Sequence, residues 1–367
     1  MRLCLLFLAA CLVLPHCGAL EPVSGSAGVL LQGLGALTLL KGGRRLTKLL
    51  GRYVPTRGFD WRPYAGDWAV ITGASYGIGR SYALALARRG VNVVLIARSR
   101  DKLQQVAREC EHYGVQARVV VLDLFETSAL EMHKKVERAL RSLPHRKGDN
   151  PRVTILINNV GGIGPSTKRW LDANSQISAS GGVKFGFLDL PVTFPLETIQ
   201  MNIEPMVTLT HAVLPIIKES ICDQQGDPSD TAPATRRKKG IVLNVSSIAA
   251  LIYLPFIPEY CASKAFVNAW TGNLAWMFNR DDILMEAAMP GTVATPLTRG
   301  QGVDADEYAE YSLKRLGLEG AISVPHPTHA RGAAIIRALG PAGAVSTMQR
   351  MRRISDSAKR LLGCHKQ

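Results

Sequence analysis

Tyr260 and Lys264 stand four residues apart, and Ser247 lies thirteen residues before the tyrosine. On a helix, residues i and i+4 share a face, so a phenol and an ammonium can enter one pocket. A free phenol titrates near pH ~10. A neighbouring cation favours the phenolate and lowers that value, which makes Tyr260 a usable acid and base near neutrality. A serine hydroxyl can hold a carbonyl oxygen beside the phenol. Ser247, Tyr260 and Lys264 are therefore equipment for interconverting a ketone and an alcohol, provided that something supplies hydride. Tyr-x-x-x-Lys alone is a common spacing, so the elements around it must carry the argument.

Those elements alternate strand and helix from Trp68 onward. Trp68–Thr72 is a short run rich in β-branched residues, read as a strand. The turn Gly73–Gly79 (GASYGIG) follows, and then a helix over Arg80–Arg89. A strand, a glycine turn and a helix N-terminus form a phosphate cradle, because backbone N–H groups and the helix dipole face an anion. Gly73, Gly77 and Gly79, with Ser75, Tyr76 and Ile78 between them, are thus candidate cofactor contacts. Val91–Ile96 is the second strand, and Arg98 follows it where an acid would bind a ribose 2′-hydroxyl; an arginine there accommodates a 2′-phosphate and favours NADP(H). Asp123 ends a third strand over Ala117–Leu122, placed either to reach the adenine or to cap the next helix, Ser128–Leu143. Val153–Ile157 is the fourth strand and runs into Asn158 and Asn159, near the cofactor end of an open α/β sheet. For Asn158 a structural tie between strands is the preferred reading. Ile241–Val245 delivers Ser247, Glu259–Phe278 is the helix of Tyr260 and Lys264, and Leu284–Ala288 is the sixth strand. The turn from Pro290 to Thr295 could close over a nicotinamide, with residues up to Leu318 lining a substrate pocket.

Two stretches break the alternation. Residues 162–195 lack clear periodicity and read as an insert at the substrate entrance or as a disordered loop. Residues 222–239 form a polar insert ending in Arg236-Arg237-Lys238-Lys239, read as solvated and remote from the chemistry. Between them, Glu197–Glu219 is an amphipathic helix that Pro205 should kink.

The 367 residues carry a formal net charge of +15, with 47% hydrophobic and 20% charged residues, which allows a sizeable core and excludes global disorder. A basic chain suits an anionic membrane or a polyanionic ligand; nucleic acid is not expected, because no binding motif with interleaved aromatics is present. The seven cysteines show no metal-ligand spacing and no disulfide framework. Residues 1–57 comprise two apolar stretches, each short for a membrane span, and then six basic residues between Lys41 and Arg57. Such a basic flank stays cytosolic beside a membrane segment, so a membrane anchor is preferred over a cleaved signal peptide or a buried helix. A basic amphipathic helix in Met348–Gln367 could rest on a membrane surface or on the body of the protein.

Together, Thr72-Gly-Ala-Ser-Tyr-Gly-Ile-Gly, Asn158-Asn-Val-Gly, Ser247, Tyr260-Cys-Ala-Ser-Lys264 and Pro290-Gly resemble the short-chain dehydrogenase/reductase family in order and spacing, from about Gly66 to Pro296. The wording GDWAVITGASYGIGRSYA, VVLIARSRDKL and MNIEPMVTLTHAVLP is similar to a membrane-bound subgroup, the very-long-chain 3-oxoacyl-CoA reductases and 17-beta-hydroxysteroid dehydrogenases. The resemblance implies one doubly wound, Rossmann-like parallel sheet over residues 58–367, preceded by the apolar segment. It implies Tyr260 as acid/base, Lys264 on the nicotinamide ribose, Ser247 on the carbonyl and Asn202 holding the water of a proton relay. Asn159 and Asp123 would lie along NADP(H), and Thr295 would touch its carboxamide. Tyr76 departs from the pattern, since many NADP enzymes place a basic residue there, so cofactor preference rests on Arg98. The implied substrate is a 3-oxoacyl-CoA in fatty-acid elongation or, alternatively, a steroid; a catalytically silent cofactor-binding scaffold is the third reading. The implied setting is the endoplasmic reticulum membrane with the catalytic domain facing the cytosol, or the secretory pathway if the N-terminus is cleaved. Membrane lipid, other elongation enzymes and a second copy of the chain are candidate partners.

Overall fold

The computed structural model describes residues 58–144, 151–164, 191–222, 238–254, 257–278 and 282–361, with side chains to residue 344 and at 346. The membrane anchor expected in residues 1–57, and most of both inserts, lie outside the described residues. Among the described residues, no helix is long and apolar enough to cross a membrane.

Seven parallel strands form one sheet in the order β3-β2-β1-β4-β5-β6-β7. They are β1 (Trp68–Thr72), β2 (Asn92–Ala97), β3 (Ala117–Val121), β4 (Val153–Asn158), β5 (Gly240–Val245), β6 (Ile283–Ala288) and β7 (Ile322–Ser323). Strands β1, β2, β4 and β5 are buried along their whole length. That explains why they read as continuous apolar runs and not as alternating ones. Edge strand β3 is only partly covered, with Val121 exposed. The two-residue β7 is too short to leave a pattern, and the sequence reading misses it.

Helices α1 (Gly77–Ala87), α2 (Arg100–Glu111) and α6 (Ala305–Lys314) cover one face. Helices α3 (Ala129–Arg141), α4 (Thr193–Cys222) and α5 (Pro258–Phe278) cover the other. The sequence reading puts the run to Leu318 in the substrate pocket. Instead α6 lies against α1, where Tyr82 donates to Ser312 Oγ (2.7 Å) and Arg88 pairs with Glu310 (2.8 Å). The helix α4 is longer than expected at both ends and stays helical through Pro205 and Pro215. It therefore absorbs residues 193–195 of the first insert and Cys222 of the second. The last helix, α7 (Pro327–Leu361), breaks at Gly340 (φ 73°), and its tail begins well before Met348.

The chain winds outward from β1 through β2 to β3, then crosses back to β4 on the other side of β1. Strand order reverses at that point, and the loops leaving β1 and β4 diverge to leave a crevice at their carboxyl ends.

Candidate active site

A cavity of about 760 Å³ occupies that crevice. Gly73, Ser75, Tyr76, Gly77, Ile78, Arg98, Asp123, Asn159, Ser247, Tyr260, Lys264 and Thr295 all line it. The structure thus gathers twelve of the fourteen predicted residues around one space. Gly79 and Asn202 do not line it.

The glycine turn is built for close approach. Gly77 has φ 56°, in the left-handed region, and a Cβ there would sit 3.0 Å from Thr295 Cγ2. Gly79 lies in the first turn of α1, and a Cβ on it would stand 2.3 Å from the Gly73 carbonyl. It lets the helix pack onto the turn and makes no wall itself. Behind the turn, Thr72 Oγ1 accepts from the backbone N–H of Asn159 (2.9 Å) and of Val160 (3.1 Å). Asn159 Nδ2 donates to the Thr72 carbonyl (3.1 Å). The ends of β1 and β4 are thereby fixed relative to each other.

Asn158 has the structural role expected of it. Its Nδ2 donates to Thr210 Oγ1 (2.8 Å) and to Asn244 Oδ1 (2.9 Å), and Asn244 Nδ2 donates to Thr271 Oγ1 (2.8 Å). This buried ladder joins β4 and β5 to α4 and α5. Asp123 is not the cap of the next helix: Ser128 is, and Asp123 Oδ1 accepts from Phe125 N (2.9 Å) in a turn at the cavity edge. Arg98 is exposed at the end of β2. Beside the turn, Lys102 Nζ lies 5.7 Å from the Tyr76 ring, so a cation sits next to the position that departs from the family pattern.

At the reaction end, Ser247 leaves β5 with extended backbone and accepts from Ala249 N (3.1 Å). That bond occupies a lone pair and leaves its O–H to donate. Lys264 is 4% exposed; its Nζ donates to the Val245 carbonyl (3.0 Å) and lies 5.9 Å from the Tyr260 ring centroid. Burial pushes the ammonium down to about 8. The phenol of Tyr260 does not show the lowering expected of it. Desolvation pushes it up, and a hydrogen bond with Ser247 pulls it partly back.

Asn202 is 2% exposed and lies just behind the wall. Its Oδ1 accepts from Gly162 N (2.7 Å); its Nδ2 donates to the Gly162 carbonyl (2.9 Å) and to Ser263 Oγ (2.9 Å). A Cβ on Gly161 would stand 2.6 Å from Asn202 Oδ1 and 2.9 Å from Lys264 Nζ, so both groups flank that one residue. One Oδ1 lone pair remains for a further donor. Met201 and Leu297 also line the cavity, and both approach Gly162, so the lining there is apolar. The sequence reading passes over both, since an isolated Met or Leu has no distinguishing spacing.

Residues 67–305 match the protein family described as short chain dehydrogenase. Among curated proteins, the chain is 31% identical over 272 residues to a very-long-chain 3-oxoacyl-CoA reductase of Anas platyrhynchos, covering 72% of this chain and 74% of that one. It is 29% identical to the protein of that name from Mus musculus, covering 70% of each. Among solved structures, it resembles a short-chain dehydrogenase from Sphingobium yanoikuyae in complex with NADPH, with a TM-score of 0.54 and 22% identity over 82% of this chain and 97% of that chain.

Proposed function

The chain belongs to the short-chain dehydrogenase family, and from that premise we propose that it is an NADPH-dependent reductase of long-chain 3-oxoacyl-CoA thioesters. The observation that carries the reading is the meeting of Ser247, Tyr260 and Lys264 with the glycine turn around one cavity. The names of the relatives, very-long-chain 3-oxoacyl-CoA reductases, support the substrate class.

The cavity suits a nicotinamide dinucleotide, because Gly73 and Gly77 line it without side chains, at a helix N-terminus that favours phosphate. The glycine turn would hold the diphosphate and Arg98 the 2′-phosphate. Asp123 and Asn159 would flank the nucleotide, and Thr295 the carboxamide. When bound, the cofactor supplies the hydride. The chain's own residues handle the proton. Ser247 donates a hydrogen bond to the ketone oxygen and holds it beside Tyr260. The Tyr260 O–H gives its proton to that oxygen as charge develops there. Lys264 stabilises the phenolate that remains. Asn202, with its remaining lone pair, holds a water through which the phenolate side regains a proton. The apolar lining at Met201 and Leu297 takes the carbon chain next to the ketone.

A panel of ketones tests this. Purified protein should oxidise NADPH with a long-chain 3-oxoacyl-CoA, and Tyr260→Phe should slow that reaction by about 10²–10⁴-fold, the range of a general acid. Turnover of a steroid ketone alone would transfer the assignment to the steroid class. Equal rates for Tyr260→Phe and wild type would remove the phenol from the mechanism.

A further inference from the structure

A buried histidine that the reaction does not use stands directly behind the cavity wall. His329, near the start of α7, is 6% exposed. A Cβ on Gly291 would lie 2.6 Å from His329 Cδ2, so the ring rests against the backbone of a residue that lines the cavity. His329 Nε2 is 3.1 Å from the Thr292 carbonyl. A carbonyl only accepts, so Nε2 carries the hydrogen. Among the described residues His329 Nδ1 is buried and has no hydrogen-bond partner, consistent with a neutral ring that donates through Nε2. Burial keeps it so, by holding its titration below the ordinary histidine range.

The segment it touches links both halves of the site. The Pro290 carbonyl accepts from Ile248 N (2.9 Å), the residue after Ser247. The Thr292 carbonyl also accepts from Val303 N (3.0 Å), and Ala294 N donates back to the Val303 carbonyl (2.7 Å). Beyond these bonds, Thr295 faces the Gly77 turn. The Gly291–Thr292 backbone is therefore clamped between α7 on one side and the reaction and cofactor ends on the other.

We propose that His329 is a positioning residue for the dinucleotide: its Nε2–H fixes the Thr292 carbonyl and its ring braces Gly291, which together hold Thr295 at the glycine turn and Pro290 at the turn of Ser247. The groups around the ring fit this task. From α6 it meets the Tyr308 ring (5.8 Å between centroids), and from the segment before α7 the His326 ring (4.9 Å). His326 Nε2 in turn reaches Glu307 Oε1 (3.1 Å). None of these competes for Nε2. The inference rests on the reading of the cavity as a dinucleotide site and is independent of the ketone substrate.

The test is binding of NADP⁺ to the full chain by calorimetry at about pH 8, with unfolding midpoints measured alongside. His329→Gln keeps an N–H at the Nε2 position and should bind within about twofold of wild type. His329→Leu fills the space without a donor and should bind about 10–100-fold more weakly, as expected when a site is displaced by a fraction of an ångström to an ångström. His329→Met replaces it if the leucine variant does not fold. A merely structural histidine would lower the midpoint of the leucine variant and leave its affinity unchanged. That result would overturn the proposal, as would a glutamine variant as weak as the leucine one. Wild-type protein that binds no NADP⁺ would defeat the dinucleotide reading and this inference with it.

Discussion

Two lysines are buried at opposite ends of the same sheet, and the protein treats them differently. Lys264, at the carboxyl end, is held by the Val245 carbonyl alone among the bonds its ammonium makes with described residues. Lys238, just before β5 at the amino end, has a side chain 7% exposed and pairs with Asp67, which precedes β1 and is fully buried. Asp67 also meets Arg152 Nε (3.3 Å) and accepts from Thr154 Oγ1 (2.7 Å). Tyr64 closes the cluster, with its ring 5.2 Å from Lys238 Nζ and its O–H donating to the Lys239 carbonyl (2.8 Å). Burial pushes both ammonium groups down, but Asp67 pulls Lys238 back, while among the described residues no carboxylate does so for Lys264. The amino end neutralises what it buries. The carboxyl end keeps a cation uncompensated, which is costly for folding and useful where charge must develop in a reaction.

The largest effect should come from removing the uncompensated lysine. Lys264→Met should lower kcat/KM by about 10²–10⁴-fold, because the phenolate of Tyr260 loses its cation. Its stability should not fall. Displacement of the ammonium from 10.5 to about 8 corresponds to a burial cost of about 3–4 kcal/mol. Leaving the Val245 carbonyl without its donor returns about 1–3 kcal/mol of that. Denaturant midpoints at neutral pH should therefore be equal to wild type or slightly higher. A clear loss of stability would make Lys264 a structural residue like Lys238 and erase the contrast.

The opposite pattern is expected at the amino end. Among the described residues, Lys238→Met leaves the buried Asp67 with the Thr154 hydroxyl and the half-buried Arg152, and should cost about 3–5 kcal/mol in unfolding free energy. The kcat/KM of the folded protein should stay within about twofold, since the cluster is at the far end of the strands from the cavity. Adding Asp67→Asn to Lys238→Met should recover most of the loss, because no bare carboxylate remains. A double variant as unstable as the single one would show that Lys238 acts through packing on Tyr64 and not through charge.

The carboxyl end was far more legible in the sequence than the amino end, and the reason is distance along the chain. Ser247, Tyr260 and Lys264 lie within eighteen residues, and Gly73 to Gly79 within seven. Their spacing on a helix or a turn already implies their geometry. The strands were legible because a two-sided parallel sheet requires unbroken apolar runs. The Asp67–Lys238 pair joins residues that are far apart in the sequence. Lys238 sits in a basic run that looks solvated by composition, yet the step into β5 carries it under Tyr64 and beside Asp67. Asn202 was placed by resemblance, and only the structure shows its amide shared between Gly162 and Ser263. His329 had no motif at all; its meaning comes from touching Gly291, which no local spacing predicts.

A third buried charge, away from both ends, sharpens the contrast with the smallest effect. Glu286 in β6 is fully buried, accepts from Gly317 N (2.7 Å) and Ser323 Oγ (2.5 Å), and burial raises it from 4.5 to about 7. The folded chain thus holds this proton where the unfolded chain has released it. The stability so conferred is complete below about pH 4.5 and is lost as pH rises through about 7. Across that window Glu286 should cost about 2–3 kcal/mol. Glu286→Gln keeps an acceptor for Gly317 and cannot ionise. Unfolding free energies at about pH 5 and about pH 8 isolate the effect, because all other groups titrate alike in both proteins. The glutamine variant should gain on wild type by about 2–3 kcal/mol between the two. Its kcat/KM should hold, as Glu286 lines no part of the cavity. A parallel pair of stability curves would mean that Glu286 is stabilised as a carboxylate after all. A loss of activity with the stability gain would instead place Glu286 beside Lys264, as a buried charge retained for the reaction.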